Sequence, residues 1–132
     1  MSERAAELPA KFEEGAALFN AGDYYACHEA WEDVWRELTG DERLFLQGLI
    51  QIAVGLYHAG RWNVAGARGL FSRAVAKLER FTPEYGGVDV SSLLAQVGPW
   101  RAAIELREEL PKGPEFKYEA QRMEKLLRSP RS

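Results

Sequence analysis

Apolar residues recur at intervals of three and four along nearly the whole chain, the spacing that collects them on one face of an α-helix. No stretch alternates apolar and polar positions convincingly enough to read as a strand. A first helix is expected from about Arg4 to Asn20, with Pro9 near its first turns. The stretch "NAGD", Asn20 to Asp23, then stops one helix and starts another: Gly22 can take the left-handed position after a helix end, and Asp23 can cap the second helix. Helix two runs from about Tyr24 to Leu38, and "LTGDE" ends it at Gly40 and caps the next at Asp41. Helix three continues to about Ala59, and "AGRWN" makes a short break with Asn63 as cap. Helix four spans about Val64 to Phe81.

The stretch from Thr82 to Ser92, with Pro83, Gly86 and Gly87, reads as one long loop. A fifth helix, about Leu93 to Leu110, comes next, with Asp89 or Ser91 as cap and a bend expected at Gly98–Pro99. Connections this short make consecutive helices antiparallel. The fold expected is therefore all-α, a compact antiparallel bundle of about five or six helices over residues 1–112. Residues 113–132 have helical spacing but few apolar positions, and read as a C-terminal extension, a short helix or a frayed tail. In helix four, Gly66, Ala67 and Gly69 suggest a close approach by another backbone.

Helices two and three carry the candidate chemistry. On a wheel centred at His28, Tyr24, Cys27, Trp31, Val34, Trp35 and Leu38 form the apolar arc. His28 sits at its edge and Glu32 about 40° further round, while Glu29, Asp33 and Glu37 point away. His28 and Glu32 are thus an i, i+4 pair, close enough to share a proton, a water or a metal ion. Helix three is apolar nearly all round, so its polar residues are informative: Gln47, Gln51 and His58 fall on one side. With the turn near Thr39 and Gly40, Gln51 comes opposite His28 and Gln47 opposite Glu32, with His58 further along near Gly22. The expectation is a partly buried polar cluster of His28, Glu32, Gln47 and Gln51, roofed by Trp31 and Trp35.

A histidine and a carboxylate at this spacing can chelate a divalent metal ion from one helix, with His28 and Glu32 as ligands. They are two ligands where a site normally has three or four, and the H-E-x-x-H pattern is absent. A divalent ion is the candidate cofactor. The rival is a polar network satisfied by its own members. Cys27 faces the apolar arc and reads as packing rather than as a nucleophile.

Composition narrows the partners. A net charge of −3 over 132 residues lacks the basic footprint of a nucleic-acid binder and gives nothing to an anionic membrane. A single cysteine excludes an internal disulfide and fits a reducing compartment. The first residues lack the apolar core of a secretion signal, and the longest apolar stretch is broken by Gln47, Gln51 and His58, short of the ~20 residues of a membrane span. A cytoplasmic location is expected, with self-association left open.

The stretch "LFNAGDYYACHEAWEDVWRELTGDERLFLQGLIQIAVGLYHAGRWNVAGARGLFSRAVAKLE" resembles the DUF309 family, small bacterial and archaeal proteins of unknown function. Its H-x-x-x-E-x-x-W signature is matched by His28, Glu32 and Trp35, with "GDYYACHEAWE", "QGLIQIAVGLYH" and "GARGLFSRA" as similar flanks. The resemblance covers about Leu18 to Glu79, and "VDVSSLL" could carry it to about Leu94. It implies an all-helical fold and a suspected metal role for His28 and Glu32, and it supplies no substrate, reaction or partner. Two functions stand: a His–Glu site for a divalent ion or small ligand, or a helical interaction module in which the same residues are structural.

Overall fold

The first helix, α1 (Leu8–Asn20), starts with Pro9 in its opening turn and ends where Gly22 takes a φ of +81°. The Asp23 amide there donates to the Leu18 carbonyl at 2.9 Å, so the left-handed glycine closes the helix as its position in "NAGD" predicts. The Asp23 side chain then accepts from the Ala26 amide and opens α2 (Tyr24–Trp35). The helix stops three residues before Leu38. Glu37 and Leu38 donate back to Val34 and Trp35, a tightened last turn. The turn reaches α3 (Gly40–Gly60), whose cap position is taken by Thr39 and not Asp41. Asp41 and Glu42 lie instead in the first turn, where the helix dipole favours acids. Asn63 caps α4 (Val64–Leu78) by accepting from the Gly66 amide, and a 3₁₀ turn, Glu79–Phe81, extends it. The structure is a computed structural model, and it describes residues 6–128.

The expected long loop contains a small hairpin. Strands β1 (Glu84–Tyr85) and β2 (Val88–Asp89) pair antiparallel, Tyr85 opposite Val88. Gly86 and Gly87 make the two-residue turn, both with positive φ, as a hairpin with the right twist requires. Two residues per strand are too few to show alternation, so only the glycine pair marks the hairpin in the sequence. Asp89 caps α5 (Val90–Leu106). That helix starts three residues earlier than expected and runs through Pro99. Gly98 has no Cβ to meet the proline ring, which relieves the clash that usually breaks a helix there.

Residues 114–128 pack against the same core. The extended chain is held by two amide side chains acting as a sheet edge would. Asn20 donates to the Phe116 carbonyl at 3.1 Å and accepts from its amide at 2.7 Å. Gln96 does the same for Glu115, at 3.0 and 2.8 Å. Phe116 is thereby set among Phe12, Phe19 and Trp31, with ring centroids 6.0, 5.6 and 5.1 Å away. Tyr118 bridges to Val88, and a sixth helix, α6 (Ala120–Leu127), buries Met123 and Leu127.

The architecture is an all-α bundle with α3 at its centre. The close approach expected at Gly66 and Gly69 is elsewhere. A Cβ on Gly69 would touch only the Arg73 guanidinium, and one on Gly66 its own cap, Asn63. The tight positions are Gly48 and Gly55 on α3, where a Cβ would come within 2.7 Å of Leu78 and Phe71 on α4. The glycines that let these helices meet belong to the central helix, because its apolar surface is the one packed on several sides.

Candidate functional site

The turn at Thr39–Gly40 lays α2 and α3 antiparallel, and two contacts fix how far each has slid. Near the start of α2, Tyr25 meets Tyr57 with ring centroids 5.4 Å apart. At its end, the Arg43 guanidinium lies 3.8 Å from the Trp35 ring centroid.

His28 sits on this seam with a half-buried side chain. Its ring lies edge-on to Tyr25 at 4.7 Å, and Nδ1 is 2.5 Å from the Tyr25 carbonyl oxygen. A carbonyl only accepts, so Nδ1 carries the proton. The remaining nitrogen, Nε2, is 3.9 Å from Oε1 of Glu32, beyond hydrogen-bond length. The other Glu32 oxygen, Oε2, is 3.5 Å from the Arg36 guanidinium, which also binds Asp33 at 2.7 Å. Glu32 is thus divided. One oxygen looks to His28, and the carboxylate also rims a charged cleft of about 400 Å³ lined by Lys11, Glu14, Glu29 and Arg36.

Among the described residues, two buried side-chain polar atoms have no hydrogen-bond partner: the Trp35 indole nitrogen and the Gln51 amide oxygen. Both belong to the six residues that the sequence singles out. Gln47 is half-buried on α3. Trp31 does not roof the cluster. It is fully buried, its indole N–H donates to the Phe12 carbonyl at 3.1 Å, and its ring stacks between Phe12 and Phe19. The wheel put both tryptophans in one arc, but Trp31 lies on the side toward α1 and the C-terminal segment. Cys27 is fully buried, and burial pushes its thiol above the usual range, which fits inert packing. Among the described residues no three His, Cys, Asp or Glu side chains are grouped to hold a metal ion, so His28 and Glu32 stand as a pair.

The surroundings of His28 go beyond what spacing along the chain gives. It lines a pocket of about 120 Å³ with Tyr25, Val54, Tyr57 and His58. Sequence spacing set His58 further along, but helical side chains lean toward the N-terminus of their own helix. In an antiparallel pair His28 leans toward Tyr25 and His58 toward Val54, so the two converge. That lean is the signal that could have found His58.

Residues 12–70 match the family model described as "Domain of unknown function (DUF309)". The chain is 41% identical over 58 residues to the uncharacterized protein YpuF of Bacillus subtilis (strain 168), covering 43% of this chain and 33% of that protein. It is 25% identical over 116 residues to an uncharacterized protein of Aquifex aeolicus (strain VF5), covering 87% of this chain and 33% of that one. The chain thus spans about a third of the length of these curated relatives. Among the described residues no helix is long and apolar enough to cross a membrane.

Proposed function

We propose, from the premise that residues 12–70 match the DUF309 family, that this chain is a binding protein whose α2–α3 seam takes a divalent cation between His28 and Glu32. One observation carries the proposal. With Nδ1 committed to the Tyr25 carbonyl, Nε2 is the nitrogen that His28 in its neutral form leaves bare, and it faces a Glu32 oxygen at 3.9 Å. Two acceptors facing at that distance attract a cation or a proton between them. Bonds of about 2.1 Å at a tetrahedral angle set the two donors about 3.4 Å apart, so the gap has to close by about half an ångström, within reach of a rotation of the partly exposed Glu32 carboxylate. A backbone carbonyl holding the second imidazole nitrogen is also the usual support of a metal-binding histidine.

The orphaned Gln51 oxygen and Trp35 N–H add to this. Between the Tyr25–Tyr57 and Trp35–Arg43 contacts, Gln47 comes level with Glu32, and His28 falls between the levels of Gln51 and Val54. Arg36 restricts Glu32 to one oxygen, so the protein contributes two charged or imidazole donors and solvent the rest.

The test is a Zn²⁺ titration of the ¹⁵N-labelled protein followed at the histidine rings. Nε2 of His28 should shift while its Nδ1–H persists. Loss of the Nδ1–H, or no response in His28, would contradict the proposal.

A second reading, a helical interaction module, has its own support. Tyr25 and Trp62 are 52% and 43% exposed, near the start of α2 and just past the end of α3. Trp62 is held in the left-handed conformation at φ 57°, costly for a bulky residue. This reading predicts that Trp62→Ser weakens capture of a partner while leaving Zn²⁺ binding unchanged. Partner capture by the Trp62→Ser protein equal to that of the wild type would count against it.

A further inference from the structure

The pocket beside His28 is lined by two histidines whose protons sit on opposite nitrogens. In His28, the Tyr25 carbonyl requires the proton on Nδ1 and leaves Nε2 bare. His58 is the reverse. Asn63 caps α4, and its side-chain oxygen accepts from the Gly66 amide at 3.1 Å. That fixes the orientation of the Asn63 amide, so its nitrogen is the atom 3.2 Å from Nδ1 of His58. An amide nitrogen only donates, so Nδ1 of His58 accepts and the neutral ring carries its proton on Nε2. A helix cap thus sets the tautomer of one histidine, and a helix backbone carbonyl sets that of the other.

We infer that the pocket lined by Tyr25, His28, Val54, Tyr57 and His58 binds a primary carboxamide group, with the N–H of the guest donating to Nε2 of His28 and its carbonyl accepting from Nε2–H of His58. Three features select this class. The two Nε2 atoms, neither with a partner at hydrogen-bond distance, offer one acceptor and one donor, matching a group that presents a donor and an acceptor on the same carbon. The lining residues carry no fixed charge, and the nearest ones, Glu32 at 3.9 Å from Nε2 of His28 and Arg61 at 5.4 Å from the Tyr57 ring centroid, are of opposite sign, so neither an anion nor a cation is singled out. Its volume, about 120 Å³, suits a small group such as an amide. The tilted Tyr25 and Tyr57 rings, 5.4 Å apart, supply flat walls. This site goes beyond the cation reading. It shares His28 with it but not Glu32, which does not line the pocket.

The experiment uses the full ¹⁵N-labelled chain with a chelator present, at about pH 8.5, two units above the ordinary histidine range. Long-range proton–nitrogen correlation reads each tautomer directly. His28 should carry its proton on Nδ1 and His58 on Nε2, and the same tautomer in both rings would overturn the inference. Acetamide should then shift both rings saturably, and N,N-dimethylacetamide, which has no N–H, should bind at least tenfold more weakly. Equal binding of the two, or no saturation with acetamide, would also overturn it. His58→Phe should abolish the acetamide response while Zn²⁺ still shifts Nε2 of His28, and a retained acetamide response would overturn the inference. Failure of Zn²⁺ to bind the wild type would refute the cation reading alone.

Discussion

The indole N–H of Trp31 on α2 donates to the Phe12 carbonyl on α1 at 3.1 Å, and Gly15 lies directly against the same indole. A Cβ built on Gly15 would stand 2.3 Å from both Cδ1 and Nε1 of Trp31. Space and not backbone freedom therefore sets this glycine. Its absent side chain lets α1 and α2 close over a tryptophan with no exposed surface.

Gly15→Ala should destabilise the protein by ~1–3 kcal/mol through overpacking, although alanine is the better helix former. Gly69→Ala, where the new methyl would meet only the movable Arg73 guanidinium at 3.4 Å, should stabilise by up to ~1 kcal/mol. Thermal melts of the two variants should move in opposite directions. A shift in the same direction would show that close packing at Trp31 is not what Gly15 serves.

Phe116→Ala should cost ~3–5 kcal/mol, the range for removing a buried aromatic. Phe116 is 3% exposed and meets Phe12, Phe19 and Trp31, so denaturant unfolding should show a large fall in midpoint. A silent substitution would mean that residues after Gly113 are an appendage to a core complete without them.

Much of the bundle was legible because helix signals are local. Asp23, Asn63 and Asp89 each cap the helix they precede, and Gly22 closes α1. The C-terminal segment was less so. Phe116 lies outside any helical repeat; Asn20, which holds it, is 96 positions away, and Gln96, which holds the preceding Glu115, is 19 positions from that residue. At the site, the seam and the His28–Glu32 pair followed from spacing along one helix. The role of Trp31 and the convergence of His58 depend on side-chain direction across two helices, which a wheel does not carry. The hairpin at Gly86–Gly87 was hidden by its brevity.

Stability should fall on the alkaline side. Burial, and then Asp23, push the Cys27 thiol up. Burial, with Glu42 and Asp41 beside it, pushes Tyr85 up to about 12. Both groups are held neutral by the fold, so their contribution is complete below their unfolded values, about 8.5 and about 10. It is lost as pH rises through the higher folded values. For Cys27 the loss should approach about 1.4 kcal/mol per pH unit above about pH 9. Unfolding in denaturant at pH 7 and pH 10.5 should show the fall, and Cys27→Ala should shrink the difference between the two. An unchanged difference would assign the alkaline loss to other groups. In the native protein at pH 8, Cys27 should also resist alkylation until the chain is unfolded.

The most direct test of the cation site compares two glutamates on one helix by calorimetric titration with Zn²⁺. Both glutamates line the α1–α2 cleft, but Glu32 alone of the two has an oxygen 3.9 Å from His28 Nε2, whereas Glu29 is exposed one residue beyond His28. Wild type and Glu29→Gln should bind Zn²⁺ alike. Glu32→Gln keeps shape and removes the charge, and should bind at least tenfold more weakly with its helix content unchanged, because a neutral amide is a far poorer ligand for a divalent ion than a carboxylate. Equal affinities in Glu32→Gln and Glu29→Gln would contradict the account and leave His28 and Glu32 as neighbours on a helix that hold nothing between them.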